Sequence, residues 1–200
     1  MRGPDGQPPI LYSAGIRGTG LGFWKSTDGG VSWTNYRVAP GGDRQDFYPP
    51  VVNPYDPNHL LMTGHHMSLI VQSMDGGRSW SAVSMADGMK HGDGTALIFF
   101  IDTGRADTTT DTWIWTAEGG GGKIGTWRTS DRGRTWTRVN SNEHGQMQIY
   151  QPDTRGVVWA RMSTPPEMAI GPAQTATVFD GTNFIVLTAN WRGGLWRFVE

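Results

Sequence analysis

Residues 73–80 read SMDGGRSW, and near-copies of this octapeptide stand at 26–33 (STDGGVSW) and 129–136 (TSDRGRTW). Aligned on Asp28, Asp75 and Asp131, all three follow one pattern: Ser or Thr, any residue, Asp, any residue, Gly, any residue, Ser or Thr, Trp. The aspartates are 47 and 56 residues apart. Recurrence at a period near 50 residues marks an array in which each unit is one supersecondary element.

The flanking residues say which element. Short segments of β-type composition precede the octapeptides (GLGFWKS, SLIVQS, KIGTWRT) and follow them (SWTNYRV, SWSAVS, TWTRVN). Strand, glycine-containing turn, strand is a β-hairpin. In such a turn the aspartate accepts backbone N–H groups, the flanking Ser or Thr assists, and Gly30, Gly77 and Gly133 supply positive φ. Trp33, Trp80 and Trp136 are large enough to anchor each hairpin on its neighbour. Asp28, Asp75 and Asp131 are therefore read as turn builders and not as catalytic acids, because three copies at equivalent places are a poor way to build one active site.

A second repeat runs just ahead of the aspartates: GFWK at 22–25, GTWR at 125–128 and, once more, GLWR at 194–197. Its apolar–polar alternation suits a half-buried strand. Upstream of the second hairpin, FYPPVVNPYDPNHLLMTG holds two further apolar runs around the breaker NPYDPN,. Four strands per unit follow, in units at about 9–38, 46–84 and 94–140, with an irregular one over 144–200 that has no octapeptide. The first unit is expected to lack its inner strand, because MRGPDGQPP is rich in breakers.

Composition agrees with an all-β chain. Among 200 residues there are 29 Gly, 12 Pro and 10 Trp with only 18% charged side chains, a profile of many turns and large aromatic anchors,. A net charge of −1 gives no global field to recruit nucleic acid or an anionic membrane, and no apolar run is long enough to span a bilayer,. No cysteine is present, which removes disulfides, thiolate nucleophiles and thiolate zinc sites together,. Met1 is followed by RGPDGQPP, so the chain as written is expected to carry no export signal,.

These octapeptides, with an NPxDPN-like turn one strand earlier, resemble the Asp-box repeats (sialidase-type, BNR) of β-propellers over roughly residues 10–140. The group includes sialidases, xyloglucan-active endoglucanases and sortilin-type receptors. The resemblance implies a ring of about six to eight blades, of which about four are visible here, and an extracellular or periplasmic setting. Sialidases carry an arginine triad, an R-I-P motif and a Tyr/Glu pair. R-I-P is absent here and no Tyr has an evident Glu partner, so sialidase activity is not expected.

In an up-and-down unit of strands a to d, the a–b and c–d turns share one face, so the octapeptides leave the b–c and d–a loops on the other. That loop face collects four of the five histidines, His65, His66, His91 and His144. It also collects Asp43, Asp46, Asp87, Asp93, Glu118 and Glu143, with Arg17, Arg44, Lys90, Lys123 and Arg192. Glycoside hydrolysis needs two carboxyls, for which Asp46, Asp93, Glu118 and Glu143 form the pool. A lyase would use a base such as His91 or His144. A non-catalytic binder needs only pockets and aromatic anchors, with Trp191 beside Arg192 the best placed. A divalent metal has weak support: His65 and His66 would point opposite ways in a strand-like loop, and His91 with Asp93 would share a side.

The expectation is an extracellular, carbohydrate-active β-propeller of glycoside-hydrolase type that acts on a polysaccharide without a cofactor. A non-catalytic propeller for a glycan or protein ligand, and a polysaccharide lyase, are the alternatives. Ligand contacts are expected from His65, His91, His144, Trp191, Arg192, Arg17 and Arg44. Exposed strand edges of an incomplete ring would favour self-association.

Overall fold

Each octapeptide folds into the same hydrogen-bonded turn. In the second, Asp75 Oδ1 accepts from the Ser79 N–H and the Ser73 hydroxyl, Asp75 Oδ2 accepts from the Ser79 hydroxyl, and Ser73 Oγ accepts from the Gly77 N–H, over 2.6–2.9 Å. Asp28 with Ser26, Ser32 and Gly30 repeats these four bonds at 2.6–2.9 Å. Asp131 with Thr129, Thr135 and Gly133 repeats them again. Burial pushes the Asp75 carboxyl up, yet the Ser79 and Ser73 donors prevail and hold it at about 2. The Thr135 hydroxyl and N–H hold Asp131 at about 2, and Ser32 holds Asp28 lower still.

The computed structural model describes residues 6–15, 21–89, 96–117 and 125–139 in full, and the backbone of the strands at 150–152, 159–161, 173–179, 184–190 and 194–199. The described strands form antiparallel sheets joined in sequence order. The first sheet has three strands, β1 (Leu11–Gly15), β2 (Gly22–Ser26) and β3 (Thr34–Tyr36). The second has four, β4 (Val51–Asn53), β5 (Asp56–Thr63), β6 (Ile70–Ser73) and β7 (Ser81–Val83). The third also has four, β8 (Ala96–Phe100), β9 (Trp113–Ala117), β10 (Gly125–Thr129) and β11 (Thr137–Arg138). One short helix, α1 (Ala106–Asp111), which the sequence reading did not foresee, joins β8 to β9.

Within 144–200, read above as one irregular unit, the backbone forms two sheets. One pairs β12 (Tyr150–Pro152) with β13 (Trp159–Arg161). The other orders β14 (Ala173–Phe179), β15 (Phe184–Asn190) and β16 (Gly194–Val199).

The second sheet is covered on both faces, and strand alternation explains how. Leu60, Met62 and Val71 join Phe23, Val38, Phe47 and Trp80 in a core against the first sheet. Leu61, Ile70 and Val83 join Ala96, Ile98, Trp113, Trp115 and Met89 in a core against the third. Successive residues of β5 thus serve opposite cores. Burying each such large side chain stabilises the fold by about 1.5–3 kcal/mol.

The hairpin turns lock neighbouring sheets together. Gly77 has φ +89°, and a Cβ there would lie 2.1 Å from the Phe23 ring of the first sheet. Phe23 also meets Trp80 edge-on, with centroids 5.1 Å apart, and Lys25 Nζ donates to the Gly76 carbonyl over 2.9 Å. One sheet further on, a Cβ on Gly133 would lie 2.4 Å from Val83, and Trp136 Nε1 donates to the Ser84 carbonyl. The turns also bind the a–b connections: the Gly76 N–H donates to Asn58 O and the Arg132 N–H to Asp111 O. Octapeptides and a–b connections therefore share one face.

Gly77→Ala should cost about 3 kcal/mol or more, since it combines a left-handed backbone with overpacking. Gly104→Ala, at φ +75° with nothing within 4 Å of its Cβ, should cost only about 1–2 kcal/mol. Urea unfolding of both variants checks this, and equal losses would show that the inter-sheet contact does not matter.

The pH dependence should have two stages. His59 is fully buried between Phe100 and Trp113, and burial pushes its pKa down to about 4. The unfolded chain gains a proton below about 6.5 that the folded chain refuses, so stability falls from about pH 6.5 to pH 4. The depressed carboxylates of the turns lose their contribution only as pH drops from about 4 towards 2. Unfolding midpoints across pH should show the first stage reduced in His59→Leu and the second unchanged.

Candidate ligand-binding face

On the loop face, the segment that leads into β4 is fixed by its own side chains. Gln45 Oε1 accepts from the Val38 N–H (2.8 Å), while its Nε2 donates to the Val38 and Gly42 carbonyls. Phe47 is fully buried against Gly41, where a Cβ would meet its ring at 2.8 Å. The Phe47 N–H reaches back to Gly15 O, and Phe47 pairs with Gly64. Asp46 is thereby held between two anchored neighbours.

The same pairing brings Asp46 against His65. Asp46 Oδ2 lies 2.9 Å from His65 Nδ1, and the His65 N–H donates to the Asp46 carbonyl over 2.9 Å. The imidazole is 10% exposed and the carboxyl 20%, so water screens this pair less than a surface one. A carboxylate only accepts, so this contact places a proton on His65 Nδ1. The Tyr48 ring stands edge-on to His65 at 5.4 Å. Asp46 Oδ1 is buried and finds no hydrogen-bond partner among the described residues.

His66 corrects one expectation. It has φ 51°, so the chain turns there instead of continuing as an extended strand. The two imidazoles consequently do not diverge: their centroids are 3.9 Å apart, and buried His66 Nδ1 finds no hydrogen-bond partner among the described residues. A non-glycine residue in this region is strained by roughly 1–2 kcal/mol, and such strain tends to collect at functional sites.

Of the other expected contributors, Arg44 is exposed in the turn before Asp46, Asp43 makes an exposed ion pair with Arg37, and Asp87 is exposed on a single helical turn. Arg17, Lys90, His91, Asp93, Glu118, Lys123, Glu143, His144, Trp191 and Arg192 lie outside the described residues. Among the described residues no group of three His, Cys, Asp or Glu side chains is placed to hold a metal ion. Sequence reasoning missed Gln45 as the loop's brace and did not pair Asp46 with His65. The signal for that pair is strand register, since an a-strand that starts at Phe47 opposite Gly64 sets Asp46 beside His65.

The arrangement offers a partly buried carboxyl with one oxygen held by an imidazole and the other without a partner among the described residues. Such a group suits the acceptance of a ligand hydroxyl or a proton. Asp46→Asn should cost about 1–3 kcal/mol, because it weakens a partly buried charged hydrogen bond. Asp43→Asn, at an exposed pair, should stay within about 0.5 kcal/mol. Denaturant titrations of the two variants check the contrast.

No family model matches the chain, and no curated protein matches it. Solved structures do. The chain is similar over 98% of its length to an ancestral GH74 enzyme, with 15% identity and a TM-score of 0.57, and spans 30% of that enzyme. It is similar over 98% of its length to YCF48 from Cyanidioschyzon merolae, with 14% identity and a TM-score of 0.55, and spans 71% of it. A YCF48 bound to D1 peptide is matched over 96% of the chain with 12% identity and a TM-score of 0.51. These neighbours are β-propellers, so the all-β sheets of this chain have a propeller-type fold. At such identities the likeness concerns the fold alone.

Proposed function

We propose that the chain is part of an Asp-box β-propeller that binds a polysaccharide across its loop face and acts on it as a glycoside hydrolase. The observation that supports this reading is the Asp46–His65 pair, a partly buried carboxyl with one oxygen unpartnered among the described residues, on the face away from the structural aspartates. The fold likeness to a GH74 enzyme favours the same class. Asp46 would be one of the two carboxyls that glycoside hydrolysis requires, and Asp93, Glu118 or Glu143 the other, at about 5–5.5 Å for retention or 6.5–9.5 Å for inversion. His91, His144, Arg17, Arg44, Trp191 and Arg192 would contact the sugar chain. An extracellular or periplasmic setting goes with this substrate.

One observation favours a second reading, a non-catalytic binding propeller. His65 already occupies an Asp46 oxygen, as in a carboxylate held only to orient a ligand, and a YCF48 of similar fold is bound to a peptide.

Reducing-end release and binding, measured together on a panel of polysaccharides, separate the two. Hydrolysis that Asp46→Asn lowers at least about a hundredfold with binding retained supports the hydrolase. Binding without hydrolysis favours the second reading. No binding of any glycan contradicts both glycan readings and leaves a protein ligand. Asp75→Asn, corrected for the folded fraction, should change neither quantity.

A further inference from the structure

Among the described residues, two that are not glycine have left-handed backbone, Arg132 (φ 60°) and His66 (φ 51°). Such backbone costs an L-residue free energy that glycine does not lose. Arg132 stands where the other two hairpins carry Gly29 and Gly76, and what holds it there is visible. Its N–H donates to the Asp111 carbonyl, and its Nε meets Asp111 Oδ1 at 2.5 Å. His66 has no such compensation. Its Nδ1 is buried and finds no hydrogen-bond partner among the described residues, which is a second cost added to that of the backbone.

The turn around His66 is tight. It joins β5 to β6, with the Gly64 N–H on Leu69 O at 2.9 Å and the Leu69 N–H on Met67 O at 2.8 Å. A Cβ on Gly64 would lie 2.8 Å from the Met67 side chain. Glycine or asparagine in place of His66 would turn the chain at less cost. What histidine adds is a ring, and that ring lies edge-on to His65, with centroids 3.9 Å apart and planes at 67°. Tyr48 is also edge-on to His65, at 5.4 Å and 77°. An imidazole so flanked is hindered from turning about its Cβ–Cγ bond, because the turn drives its rim into a neighbour. The orientation kept in this way sets His65 Nδ1 2.9 Å from Asp46 Oδ2.

We infer that His66 is a positioning residue: its strained backbone sets its ring against His65, which keeps the His65 Nδ1–H on Asp46 and so fixes the carboxyl. One contact then accounts for both the strain and the unpartnered nitrogen, as expected where strained backbone serves a functional site. The inference deepens the reading of Asp46 as an acting carboxyl, and only its consequence for catalysis rests on that reading. The positioning itself is a property of the free protein and needs no glycan to be observed.

Exchange of the His65 Nδ1 proton with water, followed by nitrogen-edited NMR on the isotope-labelled whole chain, tests it. The wild type should show a slowly exchanging Nδ1–H on His65. His66→Gly and His66→Asn both tolerate left-handed backbone and lack the ring. They should unfold at the same urea concentration or a higher one, yet exchange that proton at least about tenfold faster. His66→Phe, which puts a ring back, should restore slow exchange. No slow Nδ1–H in the wild type, unchanged exchange in His66→Gly and His66→Asn, or a fall in their urea midpoints that accounts for the faster exchange would each overturn the inference. So would a folded His66→Phe that exchanges as fast as His66→Gly. None of these results depends on whether a polysaccharide is hydrolysed, so failure here is distinct from failure of the proposed function.

Discussion

The structure depends on the contact between a turn glycine and a side chain from the sheet before it. Phe23 rests on the α-carbon of Gly77 and Val83 on that of Gly133, so close that neither position admits a β-carbon. That approach requires the hairpin to present its backbone at a fixed height. The aspartate two residues earlier sets the height by gathering a backbone N–H and two hydroxyls on one carboxylate. Turn chemistry, core packing and the spacing of sheets are therefore one constraint, repeated along the chain.

The contact explains why the fold was legible in the sequence where it was. A turn whose bonds all fall within an octapeptide is written locally, and so is the alternation of a strand such as HLLMT, which feeds one core with Leu60 and Met62 and the other with Leu61. Beyond residue 140 no octapeptide marks the hairpins, and two sheets form where the apolar runs suggested one irregular unit. Helix α1 was equally hidden, because ADTTTD has no apolar period and its Thr109 is buried through bonds to Thr103 and Asp102.

The candidate site was legible in part, as residue types gathered on one face by topology. Its geometry was not, because it rests on pairings far apart in sequence or on unusual backbone. Asp46 and His65 meet across 19 positions, and the His65–His66 contact follows from a left-handed φ at His66 that a histidine seldom adopts,. The structure also sorts the aspartates. Asp28, Asp75 and Asp131 have donors on both oxygens and depressed pKa values. Such carboxylates are committed to structure at neutral pH. Asp46 keeps one oxygen without a partner among the described residues.

Backbone amide chemical shifts during titration with oligosaccharides distinguish the structural aspartates from Asp46. Perturbations should cluster at residues 44–48 and 64–67, with the amides of 28–33, 75–80 and 131–136 unmoved. Perturbations centred on the three hairpin turns, with the Asp46–His65 loop unmoved, would contradict that distinction.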